Sequence, residues 1–154
     1  MQTGYGVKYC TPFIVGKHKK VDKYWDEDEQ QHKAGNQMEW FLKEGESLSE
    51  KSPVHHDYYQ ILSGSAVRTS DTIYCTTTFP PPARAPKGLV SVQELCTVTW
   101  NKTINARKLP KWTNRQGQTF SKLNYRIQME CEDGTVNFKI IHKGARVGEQ
   151  NFEV

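Results

Sequence analysis

The sequence predicts a mainly β protein, an antiparallel β-sandwich of about eight strands. Three observations carry this. From Leu123 to Cys131 apolar residues (Leu123, Tyr125, Ile127, Met129, Cys131) alternate with polar ones (Asn124, Arg126, Gln128, Glu130), and period two marks a strand with one buried face. Asp133-Gly134 follows, a pair that accepts the positive φ of a tight hairpin, and Val136, Phe138 and Ile140 then alternate in turn. Counting outward from that pair sets Cys131 against Val136, Met129 against Phe138, Ile127 against Ile140 and Tyr125 against His142, so both apolar sets share one face. Finally, runs rich in Val, Ile, Thr and Tyr recur along the chain between turn signals.

In chain order, residues 5–9 form a short strand. Residues 10–37 are mostly polar, with a basic cluster (Lys17, His18, Lys19, Lys20) and then an acidic one (Asp26, Glu27, Asp28, Glu29). They read as a long charged surface loop between strands. Residues 37–43 carry Met38, Trp40 and Leu42 on alternate positions and read as a strand. A helix over 37–44, stopped at Gly45, is the alternative, because every residue there is a fair helix former. Residues 54–62 and 72–78 are further strands. The proline-rich run from Phe79 to Pro86 breaks the sheet, because proline cannot donate to a ladder. Residues 92–100 form a strand, 101–118 a connector, and 120–154 the closing meander, with turns at Asp133-Gly134 and Lys143-Gly144.

The 154 residues fit one domain, 1–154, with no internal repeat or linker. Hydrophobic content is low at 36%, but 11% aromatic residues argue for a packed core, because disordered chains lack them. The net charge of +4 is too mild to name an anionic partner. No apolar run approaches the roughly 18 residues that span a bilayer, and the N-terminus has no secretory pattern. The expectation is a cytoplasmic protein with no membrane partner. Cys10, Cys75, Cys96 and Cys131 contain no CxxC pair, so zinc-site spacing is absent, and free thiols are the plain reading.

Motifs that carry catalysis are missing. There is no phosphate-cradling glycine loop, no GxSxG, no HExxH and no carboxylate pair at a useful spacing. His55 and His56 are adjacent on a strand and point to opposite faces, so they cannot chelate one ion together. The expectation is a chain that is not an enzyme and holds no catalytic, cofactor or metal residues. From Leu95 to Met129 there is no Asp or Glu, while Lys102, Arg107, Lys108, Lys111, Arg115, Lys122 and Arg126 alternate with Trp100, Trp112, Phe120 and Tyr125. Such a pattern suits single-stranded nucleic acid; a solvated basic flank is the plainer reading. Proline-bounded loops on an aromatic-lined sheet suit an extended peptide, held by strand-edge hydrogen bonds. Met38 and Trp40 are the groove candidates, with ordinary core positions as the alternative.

The ordered series Gln2-Thr3-Gly4-Tyr5-Gly6-Val7, Gly16-Lys17-His18, Gln37-Met38-Glu39-Trp40-Phe41-Leu42-Lys43-Glu44-Gly45-Glu46, Ile73-Tyr74-Cys75, Glu94-Leu95-Cys96 and Tyr125-Arg126-Ile127-Gln128-Met129, with Gly134, Phe138, Gly144 and Gly148, resembles one family. It is similar to the C-terminal part of divergent heat-shock 70-kDa proteins with an actin-like ATPase domain, in the fungal branch related to type 12 of the animal proteins. The resemblance implies a chaperone-like, polypeptide-binding β-sandwich. Residues 5–9 would be its first strand, 40–49 its second strand and following turn, and 127–154 its closing strands. The family's ATPase lobe and helical lid are expected to be absent from this chain, so no cofactor is expected here; ATP and Mg would belong to a full-length parent. The partners implied are unfolded or extended polypeptide, or the chain's own ATPase domain. A regulatory or interaction domain that has lost peptide binding is the second reading, and a nucleic-acid-binding β domain ranks last.

Overall fold

The computed structural model describes residues 3–41, 53–64, 66–67, 69–132 and 134–153. Two antiparallel sheets of five strands pack face to face, which is the predicted sandwich. Sheet A runs β2 (Lys23–Asp26), β3 (Gln31–Trp40), β1 (Gly4–Pro12), β6 (Ser70–Thr76) and β7 (Gln93–Thr99). Sheet B runs β12 (Ala145–Glu153), β11 (Thr135–His142), β10 (Thr119–Glu132) and β4 (Val54–Leu62), with β9 (Lys111–Thr113) also paired to β10. The short strands β5 (Ala66–Val67) and β8 (Ile104–Asn105) pair with each other. Among the described residues the only helical pieces are single 3₁₀ turns at Lys20–Asp22 and Ala106–Lys108.

The β10–β11 hairpin has the predicted register, with Cys131 opposite Val136, Met129 opposite Phe138 and Ile127 opposite Ile140. The paired ladder reaches Arg126 opposite Ile141, one position short of the expected Tyr125–His142 pair, and the His142 ring Nδ1 lies 2.9 Å from the Asn124 carbonyl. Lys143 and Gly144 have φ of 51° and 75°; both lie in the left-handed region that a two-residue hairpin turn requires. The alternating apolar residues become the core. Leu123, Ile127, Met129, Val136, Phe138 and Ile140 of sheet B meet Tyr5, Val7, Ile73 and Val98 of sheet A and Phe41 just after β3. Tyr5 and Phe41 reach the Phe138 ring at centroid distances of 5.7 and 6.0 Å, edge-on and tilted, which favours quadrupole contact over stacking.

Two expectations need correction. Residues 10–37 are not a loop throughout: they hold the end of β1, a 3₁₀ turn, β2 and most of β3. Their charges hid the strands because the charges satisfy each other. Lys33, buried on β3, reaches Asp26 at 3.4 Å and also pairs with Glu29, so a polar-looking stretch could enter a sheet. The connector 101–118 likewise carries β8 and β9. The strand expected over 37–43 exists but starts six residues earlier, at Gln31; positions 42–49 lie outside the described residues.

Candidate functional site

The site is built on β3. Cys10 of β1 faces two residues of β3, Gly35 and Asn36, so the pairing register shifts there: Tyr9 opposes Gln37, while Thr11 opposes Ala34. This is a bulge, and Asn36 adopts φ of 59°, which asparagine tolerates. β2 pairs with β3 only up to Ala34. Beyond the bulge the outer edge of β3, from Asn36 to Met38, needs another partner.

That partner is the chain's own proline-rich segment. Met38 N–H donates to the Ala83 carbonyl at 3.0 Å, and Ala85 N–H donates to the Asn36 carbonyl at 2.8 Å. Gln37 and Arg84 stand opposite each other as an antiparallel bridge. Residues 83–85 thus extend sheet A in line with β2. Proline does not break the arrangement, because the prolines flank the three residues that pair.

Side chains hold the strap as well as backbone. Trp40 Nε1–H donates to the Pro82 carbonyl at 2.8 Å. Ala85 is buried against Met38 and Val92, with Trp40, Tyr74 and Leu89 around them. Arg84 reaches Asp22 with two prongs, Nε to Oδ2 at 2.7 Å and Nη2 to Oδ1 at 2.8 Å. The Asp22 side chain is fully buried, and Asn36 and Gln37 donate to it at 3.1 and 3.3 Å. The Arg84 hydrogen bond leads in holding the Asp22 carboxyl down at about 2, against the desolvation that would raise it.

Met38 and Trp40, the groove candidates, therefore do share one face and line one apolar patch, but residues 82–92 cover it. They belong to this smaller cluster and not to the main core. Gly6 lies beneath Trp40: a Cβ there would stand 2.6 Å from the Glu39 carbonyl and 2.7 Å from the indole. Sequence reasoning missed Asp22, Arg84 and Gly6. The signals present were Gly35-Asn36, a bulge-compatible pair inside a supposed loop, and an Ala-Arg-Ala triplet bounded by prolines.

A second concavity opens between the sheets. A cleft of about 350 Å³ is lined by Tyr9, Tyr58, Tyr59 and Tyr125 with Lys33 and Glu39 among its polar groups. Tyr58 O–H donates to Glu39 at 2.7 Å, and Tyr125 O–H donates to Asp71 at 3.2 Å. Burial first, then the neighbouring carboxylate, pushes both phenols up. Trp100 Nε1–H also donates to Asp71, at 3.1 Å, yet desolvation prevails and raises the Asp71 carboxyl. Beside it, the β1–β6 ladder stops at Gly6 opposite Tyr74, and Val7–Cys10 faces Ser70–Thr72 across a gap of about 430 Å³.

Little here points to covalent chemistry. None of the four cysteines is held in a disulfide. Burial raises Cys75 and pushes Cys96 up to about 11, the opposite of an activated nucleophile. Among the described residues no three His, Cys, Asp or Glu side chains converge as metal ligands. His55 is exposed and His56 half-buried, and His56 faces Glu39 at 3.6 Å. Of the aromatics in the basic flank, Trp100 is fully buried, and Trp112, Phe120 and Tyr125 are half-buried. Lys111 turns inward to Ser121 and the Ala106 carbonyl at 3.1 and 3.3 Å, and Arg115 bonds the Gln30 carbonyl. No helix among the described residues is long and apolar enough to cross a membrane. No family model, curated protein or solved structure matches the chain.

Proposed function

We propose that this domain is a polypeptide-binding module that takes an extended segment by strand addition to the edge of β3. One observation carries the reading: residues 82–85 lie on that edge as a ligand peptide would. They contribute two main-chain bonds to β3, a carbonyl for Trp40 Nε1–H, an alanine for the pocket beside Met38, and an arginine for the buried Asp22 carboxylate. This combination of backbone pairing for affinity and side-chain pockets for specificity is how sheet edges recognise peptides. The ordered resemblance to the heat-shock 70-kDa substrate-binding sandwich supports the same class of partner, and the reading requires no ATP at this domain.

On this reading the strap is a cis occupant that a peptide in trans displaces. The test uses the full chain carrying Arg84→Ala and a labelled synthetic peptide with the sequence of residues 79–88. Saturable binding is expected to the variant, at least about tenfold weaker to the unaltered chain, where the tethered strap competes at high effective concentration. The peptide should also raise the variant's melting temperature, because a ligand for the native state stabilises it. Replacing 80–86 with a glycine-serine run of equal length removes the competitor altogether. If that variant keeps its β circular dichroism and does not bind the peptide, the reading is wrong, and the regulatory or interaction domain becomes the better one.

A further inference from the structure

The excursion between β1 and β2 presents a surface that the peptide-binding reading does not use. Of the seven large hydrophobics that stand exposed among the described residues, five fall within residues 14–25: Ile14, Val15, Val21, Tyr24 and Trp25. Val15 is 87% exposed and Val21 78% exposed. Scattered exposed apolar residues mean nothing, but a concentration of them does.

The loop cannot relieve this exposure by folding over. Lys17 N–H and His18 N–H both donate to the Ile14 carbonyl, at 3.2 and 3.0 Å, and Ile14 N–H donates to His18 Nδ1 at 2.9 Å. Asp22 N–H closes the next turn on the Lys19 carbonyl at 3.0 Å. The tip is thus a bonded turn that holds Val15 outward, with open space around Gly16.

Its charge is of one sign. No Asp or Glu precedes Asp22 in the chain, and Asp22 is itself buried and paired with Arg84. Lys17, Lys19, Lys20 and Lys23 are all exposed, and Lys23 sits 4.9 Å over the Phe13 ring. The acidic run Asp26–Glu29 lies at the far end of β2, roughly 10 Å or more away at strand rise. That is about a Debye length at physiological salt, and Asp26 and Glu29 are already paired with Lys33.

We infer that this loop docks on an anionic lipid surface, its aliphatic tip entering the headgroup region while the lysines meet the lipid charge. An apolar projection ringed by lysines fits a deformable, negatively charged layer. A surface contact of this kind needs no membrane-spanning segment.

The test is co-sedimentation of the full chain with vesicles of phosphatidylcholine alone or mixed with phosphatidylserine. Binding is expected only to the mixed vesicles, and it weakens steeply with salt. Lys17→Glu with Lys19→Glu and Lys20→Glu should weaken it by about tenfold or more. Val15→Ser should weaken it by about fivefold to tenfold, while Val90→Ser, 86% exposed elsewhere, leaves it unchanged. All these positions are exposed, and circular dichroism checks that each variant is folded. Absence of binding to the mixed vesicles overturns the inference. So does equal binding by the Val15→Ser and Val90→Ser variants, which would reduce the contact to charge adsorption. Loss of a soluble protein partner by the same variants, with no vesicle binding, assigns the loop to that partner instead.

Discussion

Arg84 and Asp22, 62 residues apart in sequence, form a two-pronged ion pair that ties the proline-rich strap to the 3₁₀ turn before β2. The Asp22 side chain is fully buried, and that of Arg84 is one-quarter exposed. Two parallel N–H···O bonds in this geometry fix direction as well as distance.

Removing one partner should therefore be worse than removing both. Arg84→Ala leaves a buried carboxylate with only amide donors, and is expected to lower stability by roughly 2–4 kcal/mol, less than for a wholly enclosed pair because Arg84 is partly solvated. Asp22→Leu combined with Arg84→Leu should lose less than the single Arg84→Ala change. Urea denaturation of Asp22→Leu, Arg84→Leu and the double variant completes the cycle.

The same pair predicts the acid response. Asp22 sits at about 2 in the folded protein, below the ordinary carboxylate value near 3.9 of the unfolded chain. Its contribution to stability is full above that unfolded value and is lost as pH falls from about 5 towards 2. Asp22→Asn should flatten the fall in melting temperature over that window. An unchanged slope would show that other carboxylates govern it.

Two of the four tryptophans, Trp100 and Trp40, should separate cleanly. Trp100 is fully buried in the main core, and Trp100→Ala is expected to cost about 3–5 kcal/mol. Trp40 covers Gly6 and bonds the strap, so Trp40→Ala should cost about 1–3 kcal/mol, a neutral hydrogen bond and partial burial. It should also expose the Arg84–Ala85 bond to trypsin. Equal losses for the two variants would mean that the strap and the main core unfold as one unit.

Gly6→Ala is the smallest change that tests the strap from below. The added methyl would meet the Glu39 carbonyl at 2.6 Å and the indole at 2.7 Å. The closer contact is with backbone, so β1 and β3 must separate locally, and the indole must move as well. A loss of about 1–3 kcal/mol is expected, with a change in tryptophan fluorescence. At Gly35 a Cβ would meet nothing closer than 3.6 Å, so Gly35→Ala should show no comparable fluorescence change.

The strands of sheet B other than the short β9 were legible because each buries one face, and burial of one face writes period two into the sequence. β4 falls at residues 54–62 as its Tyr and Ile content predicts, and the β10–β11 register follows from Asp133-Gly134 alone. β2 and the start of β3 were illegible for the converse reason. Lys33, Asp26 and Glu29 neutralise one another inside the fold, and a pattern of charges says nothing about which charges will meet.

The sequence by itself thus determined the mainly β class, the main hairpin and its core, since these depend on neighbours a few residues apart. It also offered Met38 and Trp40 as one apolar face, because alternate residues share a side. Only the tertiary structure decided what covers that face. The bulge at Gly35-Asn36 ends β2's hold on β3, and Ala83–Ala85 takes the vacated edge from nearly fifty residues further along the chain. Pairings of that range leave no periodicity behind, because neither segment's local pattern changes when the other arrives.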